Sequence, residues 1–359
     1  MNESIYRALA QRLDAIPNGF TSTQSGVELR LLEKMFTPEE AALAAVMRLT
    51  LESAAEIAAR AAADPETSYS TLKLMARKGL IRSSRGEGEL SFGLMPFVVG
   101  LYEEQLPRLN PEMAMLFEQY VQETGAAFLR DSPSVHRVIP IGEAIPFELE
   151  IFPYERASEM IENAKAWGVR DCICRVQQKL ISKGCDHPLE NCLMFAPVEG
   201  AFDHARVGRA ITKEEALRKL RAAEESGLVH TTGNQRDRSS YICNCCPCCC
   251  GILRGVTEFD IPTAVARSSF YSVVDAAICS GCEDCVTRCP FDALSVPDGV
   301  CVVDYARCVG CGQCAIVCST GALSLARRPE NEVTLPPANI QEWMLQRAQE
   351  RNISIFEVL

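Results

Sequence analysis

The spacing of apolar positions in the first hundred residues predicts three helices followed by two short strands. Thr37-Pro38-Glu39-Glu40 has the features of a helix start, because an N-cap, a first-turn proline and two acids occur together. Ala54, Ile57 and Ala58 have helical spacing, and Asp64-Pro65 begins a third helix that ends at a glycine. The predicted helices span 37–49, 53–62 and 64–78, and the predicted strands span 80–85 and 89–92 around a turn at 86–88.

Three helices followed by a ribbon predict a winged helix-turn-helix over residues 1–105. Residues 65–86 carry one acid, Glu66, and five basic residues: Lys73, Arg77, Lys78, Arg82 and Arg85. A local positive face of this kind suits phosphate contact. Residues 1–100 nevertheless have a net charge of −1, and a DNA-binding domain is usually more basic. We therefore favour protein docking over DNA binding for this module.

The middle of the chain mixes helical and alternating patterns. Apolar residues on helical spacing predict core-packed helices, and short alternating runs predict strands. The predicted elements are helices over 111–131 and 153–167, strands at 138–141 and 147–151, a helix that a T-x-x-E capping box opens at 212 and a glycine ends at 227, a strand at 228–230, and an amphipathic helix over 339–352.

Ten cysteines lie in residues 171–255, at a density that packing does not explain. Six of them lie within the eight residues 243–250, and a D-C-I-C-R element lies at 171–175. In a reducing compartment, clustered thiols indicate metal ligation. We expect these ten residues to bind metal: Cys172, Cys174, Cys185, Cys192, Cys243, Cys245, Cys246, Cys248, Cys249 and Cys250.

Alternation along an extended chain predicts how these thiols are divided. Cys172 and Cys174 would face one side of a short extended stretch. If the run 243–250 is extended, one side carries Cys243, Cys245 and Cys249, and the other side carries Cys246, Cys248 and Cys250. Ten thiols supply two further [4Fe–4S] clusters with two thiols left over, or one cluster with redox-active spare thiols.

Three nearby features refine this expectation. His187 is expected to donate a hydrogen bond to a ligand cysteine, or simply to lie at the surface, rather than to bind metal itself. Arg175 is a candidate donor to a cluster sulfur, which would raise the cluster's potential, and the alternative is a solvent-exposed arginine. Only one Cys-Cys-Gly element, at 249–251, is present, and this argues against a non-cubane cluster built from paired elements of that kind.

Two further cysteine runs near the C-terminus have the spacing of bacterial ferredoxin ligands, C-x-x-C-x-x-C-x-x-x-C. Zinc ribbons also use CxxC pairs, but they need no third and fourth cysteine at these offsets. In two-cluster ferredoxins the fourth cysteine of each run ligates the other cluster. We therefore assign one [4Fe–4S] cluster to Cys279, Cys282, Cys285 and Cys318, and the other to Cys308, Cys311, Cys314 and Cys289. Cys301, outside both runs, is expected to pack as a small apolar residue.

Residues 268–328 resemble the dicluster bacterial-type ferredoxins. The resemblance includes Pro290-Phe291-Asp292-Ala293-Leu294 and Thr320-Gly321-Ala322-Leu323, whereas Ser319 stands where the family usually has proline after its last ligand. The whole chain resembles a group of multi-cluster iron–sulfur proteins from anaerobic and facultative bacteria, through the D-C-I-C-R and C-N-C-C-x-C-C-C elements. These resemblances imply electron transfer and leave the partner open.

Composition sets the remaining limits. The chain has 359 residues, 19 cysteines and a net charge of −11, which argues against a nucleic-acid coat. The most apolar stretch, 92–102, is too short to span a bilayer. No secretory signal pattern and no G-x-G-x-x-G loop are present, so we expect a cytoplasmic protein that binds neither flavin nor nicotinamide.

Together these patterns predict an α+β multidomain chain. The predicted domains are a winged helix-turn-helix at 1–105, a helical and mixed connector at 106–170, a cysteine-rich, mixed α/β metal-binding region at 171–255, a ferredoxin-like dicluster domain at 268–330 and a C-terminal helix within 331–359. The favoured function is electron relay to or from a redox partner protein, with a homo-oligomer left open. The alternatives are an iron–sulfur redox sensor that binds DNA, and an unusual iron–sulfur active centre in the ten-cysteine region.

Overall fold

The computed structural model describes residues 2–85 and 88–357. The chain divides into two compact units. The first contains Met1–Ser132, Gln177–Ser182 and Met344–Leu359, and the second contains Pro133–Val176 and Lys183–Trp343. The predicted ferredoxin-like segment therefore lies in the same unit as all ten cysteines of the cysteine-rich region, whose residues 177–182 belong to the first unit.

Helices and short strands are interspersed along the described residues. The helices are α1 (Asn2–Asp14), α2 (Val27–Met35), α3 (Pro38–Ala44), α4 (Ala54–Ala61), α5 (Pro65–Lys78), α6 (Pro111–Thr124), α7 (Ala157–Glu162), α8 (Ile173–Leu180), α9 (Lys213–Glu225), α10 (Gly251–Thr257), α11 (Asp284–Arg288), α12 (Gln313–Ile316) and α13 (Ile340–Glu350). The strands are β1 (Glu52–Ser53), β2 (Arg82–Arg85), β3 (Leu90–Gly93), β4 (His136–Ile139), β5 (Ala166–Asp171), β6 (Glu190–Ala196), β7 (Arg209–Ile211), β8 (Val229–Gly233), β9 (Tyr241–Cys245), β10 (Val265–Ala266), β11 (Phe270–Val274), β12 (Leu294–Ser295), β13 (Val302–Val303) and β14 (Leu323–Arg327).

Local capping signals fix the starts of the first unit's central helices. Thr37 begins α3 with a reciprocal capping box to Glu40, and Ser53 caps α4 in the same way. The predictions for α4 and α5 are confirmed to within one residue. The predicted extension of α3 to residue 49 is wrong. The chain leaves the helix because Arg48 bonds instead through its backbone to Glu52 and to Leu94, which brings β1 beside β3.

A three-stranded antiparallel sheet with the order β1-β3-β2 completes this part of the first unit. The predicted ribbon is confirmed as β2 and β3, and residues 86–87 of its turn lie outside the described residues. The helix predicted over 111–131 ends earlier, at Thr124, because Gly125 adopts a left-handed backbone with φ of 54° and caps α6. Arg347 of α13 is fully buried in this unit and donates to the carbonyls of Pro17, Phe128 and Asp131.

A seven-stranded sheet with the order β10-β4-β8-β9-β6-β5-β7 forms the centre of the second unit. All neighbouring pairs are antiparallel except β10 with β4. The predicted strands at 138–141 and 228–230 correspond to β4 and β8, and Thr212 caps α9 as expected. This capping is one-sided, because the Glu215 carboxylate bonds to Arg209.

Two predicted elements of this unit are wrong. The helix expected over 153–167 is a short 3-10 turn and α7, which ends at Glu162, and Trp167 lies in β5, where it pairs with β6 and β7. No strand forms at 147–151. The apolar residues of this segment do not share one buried face, since Phe147 is fully exposed while Leu149 packs beside Ile141.

Two small two-stranded sheets flank the C-terminal cysteine runs. β11 pairs with β14 and β12 pairs with β13, both antiparallel. The short helices α11 and α12 each include the third cysteine of a run, and the two helices contact each other. Within the described residues, no helix is long and apolar enough to cross a membrane.

Candidate metal centres

The central sheet of the second unit presents part of the cysteine-rich region. Cys192 of β6 lies directly opposite Cys243 of β9 in the strand register, and their Sγ atoms are 3.9 Å apart. Cys172 follows the end of β5, and Cys174 lies in the first turn of α8. These last two thiols therefore do not share one side of an extended stretch, as alternation predicted, because α8 begins between them.

The six-cysteine run is extended only as far as Cys245. After β9 the chain turns at Pro247, and the backbone N–H of Cys250 bonds to the carbonyl of Cys246 at 3.0 Å before α10 begins. Because of this turn, Cys249 and Cys250 each lie with the group of thiols opposite to the one that strict alternation predicted. Cys249 joins Cys246 and Cys248, whereas Cys250 joins the thiols of β9.

The first thiol group, called here the quartet, consists of Cys185, Cys246, Cys248 and Cys249. Its four Sγ atoms all lie within 4.8 Å of one another. The Sγ of Cys185 is 3.9 Å from that of Cys246 and 3.5 Å from that of Cys249. Hydrogen bonds from Cys248 and Cys249, together with the charge of Arg175, lower the pKa of Cys246 far below the usual thiol range. The quartet thus favours at least one thiolate, which is the form that binds metal.

The second thiol group, called here the sextet, is a chain of neighbouring thiols on strands β6 and β9 and at the adjoining ends of β5, α8 and α10. In order of contact its members are Cys172, Cys174, Cys250, Cys245, Cys243 and Cys192. A hydrogen bond from Cys243 is the main cause that lowers the pKa of Cys192 to about 6 and that of Cys245 to about 6. The sextet can therefore offer thiolates near neutral pH.

Arg175 is a buried cation beside both thiol groups. Its guanidinium donates to the carbonyl of Pro188 at 2.7 Å and to that of Asn244 at 2.5 Å, and the side chain is fully buried. Burial lowers the pKa of Arg175, but its electrostatic interactions with Cys172 and Cys246 raise that pKa more, so the residue stays charged. Its charge compensates thiolates of the quartet and the sextet together.

Polar residues that sequence reasoning did not single out support this region. Asn244 donates to the carbonyl of Asn191 at 2.8 Å, and its side-chain oxygen lies 2.6 Å from Nδ1 of His230. Thr231 Oγ1 lies 3.4 Å from Cys245 Sγ. The available signal was the position of Asn244 between Cys243 and Cys245 on a strand, which directs its side chain to the opposite face. His187, which was singled out, lies with Nδ1 3.3 Å from Cys185 Sγ.

One set of ferredoxin-run cysteines lines a common small cavity. It is lined by Cys308, Cys311 and Cys314 of the second run and by Cys289 of the first. Burial is the main cause that raises the pKa of Cys311 well above its usual value, and it raises that of Cys314 to about 12. Thiolates in so buried a place need a metal or another positive partner. Ser272, also buried, has its Oγ 3.0 Å from Cys314 Sγ.

The remaining ferredoxin-run cysteines pack around the same small core and are partly open to solvent. Cys285 is buried, Cys279 and Cys318 are half-buried, and Cys282 is exposed. Cys301 is buried as expected, but its thiol lies 3.6 Å from that of Cys285, and its backbone N–H donates to Cys279 Sγ at 3.4 Å.

The backbone around these runs fits sulfur ligands. Ala293 N–H donates to Cys289 Sγ at 3.4 Å, and donors of this kind stabilise the negative charge of a metal–thiolate centre. Gly310 has a left-handed φ of 72°, and a Cβ atom there would lie 2.1 Å from the carbonyl oxygen of Phe270. Only glycine therefore allows the loop between Cys308 and Cys311 to approach β11 so closely.

Comparison with known proteins supports this chemistry. A family model described as a 4Fe-4S binding domain matches residues 301–324, which include Cys308, Cys311, Cys314 and Cys318. No curated protein and no solved structure matches the chain. The chain therefore has the features of an iron–sulfur protein with at least one [4Fe–4S] cluster and the capacity for electron transfer.

Proposed function

We propose that this protein transfers electrons through two [4Fe–4S] clusters to or from a partner oxidoreductase. The cavity that Cys289 shares with the three cysteines of the other run carries the proposal. This exchange of the fourth ligand is the arrangement of two-cluster ferredoxins. The second cluster would then be held by the remaining four: Cys279, Cys282, Cys285 and Cys318.

The clusters would supply one-electron carriers, and the protein would set their environment. Ser272 and the backbone N–H groups of Ala293 and Cys301 donate toward ligand sulfurs, which favours the more negative, reduced state. The exposed Cys282 marks the side from which a partner can approach closely. Ile278, which precedes Cys279 in the chain, is 48% exposed and offers an apolar contact to such a partner.

We assign a further metal role to the ten cysteines of residues 171–255. The sextet has enough thiols for one additional iron–sulfur cluster with two thiols to spare. Its link to both β6 and β9 gives it a rigid support. An unusual active centre in this region would require a cluster iron with an open coordination position.

The first unit's helix–sheet module is proposed to dock a protein rather than DNA. The order α3-β1-α4-α5-β2-β3 supports the assignment of this module as a winged helix. Lys78, one of the five basic residues expected to contact phosphate, is bound at 2.6 Å to the buried carboxylate of Glu40. On the same helix α5, Leu74 is 47% exposed. A solvent-facing leucine on this helix favours an apolar protein contact.

Two measurements test this proposal. Anaerobically purified full-length protein should contain about 8 iron and 8 acid-labile sulfide per chain from the two ferredoxin-type clusters, or about 12 of each if the sextet holds another. A chain without sulfide would refute the electron-transfer proposal. The full chain should also bind random-sequence duplex DNA weakly, whereas tight binding with a steep salt dependence would support the sensor alternative.

A further inference from the structure

The quartet is distinguished from the chain's other thiols by how closely its sulfur atoms approach one another. Of the residues that the structure describes, it is the only set of three or more metal-ligating side chains whose ligand atoms all lie within 4.8 Å of one another. The eight cysteines of the ferredoxin runs are all described, and no three of their Sγ atoms form such a set. The quartet is therefore more compact than the ligand sets expected to hold cubane clusters.

We propose that the quartet holds a single zinc ion in tetrahedral coordination, not an iron–sulfur cluster. Four thiolates at the usual zinc–sulfur distance of about 2.3 Å from one ion lie about 3.8 Å from one another. The Sγ separations of 3.9 Å from Cys185 to Cys246 and of 3.5 Å from Cys185 to Cys249 agree with this geometry. In a [4Fe–4S] cluster each thiolate binds a different iron atom, so the four sulfurs are spread around the cube.

The local chain conformation builds this site from two short segments. The turn at Pro247 brings three thiols together, and Cys185 comes from the loop between α8 and β6. Cys246 and Cys249 are buried and Cys248 is exposed. An all-cysteine set with every ligand supplied by the chain is typical of structural zinc sites, which are closed to substrate.

Neighbouring groups compensate the charge of such a centre. Four thiolates around Zn²⁺ carry a formal charge of about −2. Arg175 supplies a buried positive charge beside Cys246. His187 Nδ1, 3.3 Å from Cys185 Sγ, is in position to donate to that sulfur, as outer-shell groups do around metal ligands.

The proposed ion would be structural. It would tie the Cys185 loop to the turn after β9, and so fix one end of the strand that carries Cys243 and Cys245 of the sextet. This assignment does not depend on the electron-transfer proposal, because the ferredoxin-run cysteines share no ligand with the quartet.

The test is metal analysis of the full-length protein together with two matched variants. Anaerobically purified wild-type protein should contain one zinc per chain, and zinc-edge X-ray absorption should show four sulfur neighbours at about 2.3 Å. Cys248→Ser, at the exposed ligand, should lower zinc several-fold and leave iron and sulfide unchanged. Cys243→Ser, in the sextet, should leave zinc unchanged.

Other outcomes would overturn the assignment. They are wild-type protein without zinc, zinc bound by nitrogen or oxygen atoms, or loss of about four iron atoms with their sulfide in Cys248→Ser. Loss of one iron atom without sulfide would also reject zinc. The metal content and the absorption spectrum of the wild-type protein test the assignment by themselves, even if a variant fails to fold. Iron and sulfide retained in Cys248→Ser report on the ferredoxin clusters separately.

Discussion

Replacing Ser272 with alanine should lower the reduction potential of the cluster that we assign to Cys314. The Ser272 hydroxyl is 3.0 Å from Cys314 Sγ and the side chain is only 1% exposed. A metal-bound thiolate has no proton to donate, so the hydroxyl is the donor. This hydrogen bond stabilises the reduced cluster more than the oxidised one, because the reduced cluster carries more negative charge.

The size of the effect follows from the strength of that bond. A hydrogen bond to a charged group is worth about 1.5 kcal/mol, and only the part that strengthens on reduction alters the potential. Since about 1.4 kcal/mol corresponds to about 59 mV for one electron, Ser272→Ala should lower the potential by about 30–60 mV. The substitution removes one oxygen atom from β11 and leaves the strand's backbone pairing with β14 in place.

Spectroscopic redox titration of the full-length protein, followed by electron paramagnetic resonance, measures this shift. Ser269→Ala is the matched control, since Ser269 is also buried and its hydroxyl has no hydrogen bond to a cysteine among the described residues. One of the two potentials should fall in Ser272→Ala, and neither should change in the control. An unchanged or higher potential in Ser272→Ala would refute the reasoning.

Three further substitutions test other parts of the account. Cys289→Ser should remove the cluster shared with the second run and leave the other, so the spin count of the reduced protein should fall by about half; loss of the first run's cluster instead would contradict the exchanged ligand. Arg175→Met should leave buried thiolates uncompensated and destabilise the metal-loaded second unit by about 3–5 kcal/mol in denaturant unfolding, whereas an unchanged midpoint would show that the charge is not needed. Arg347→Met removes a fully buried guanidinium that bonds to three carbonyls and should lower the stability of the first unit by about 3 kcal/mol, measured by thermal unfolding; a neutral result would mean that water replaces it readily.

Local signals predicted those elements whose boundaries are set by local chemistry. Ser53 and Asp64 cap α4 and α5 through their own side chains, so sequence alone located both helices. The end of α3 depends on Arg48 bonding to Glu52 and Leu94, which is a tertiary requirement that periodicity does not contain. The predicted helix over 153–167 is wrong for a similar reason. Trp167 pairs with β6 and β7, and this tertiary pairing overrides the helical spacing of the sequence.

The metal-binding residues show the same division. Ligand spacing predicted that Cys289 binds the other run's cluster; this stays a prediction, and Cys289 lines one small cavity with Cys308, Cys311 and Cys314. Spacing could not divide the run at 243–250, since the turn at Pro247 determines which neighbours Cys249 and Cys250 meet. The positions of Arg175 and Asn244 depend on how α8, β6 and β9 meet, which no sequence motif specifies.

The most direct test of the central claim is a reductive titration of the anaerobically purified full-length protein, with the spins counted by electron paramagnetic resonance. The account predicts that at least about two [4Fe–4S] clusters per chain each accept one electron. In Cys289→Ser the count should fall by about one. A chain whose iron accepts no electrons, or whose signals survive substitution of the ferredoxin-run cysteines, would contradict electron transfer through these clusters.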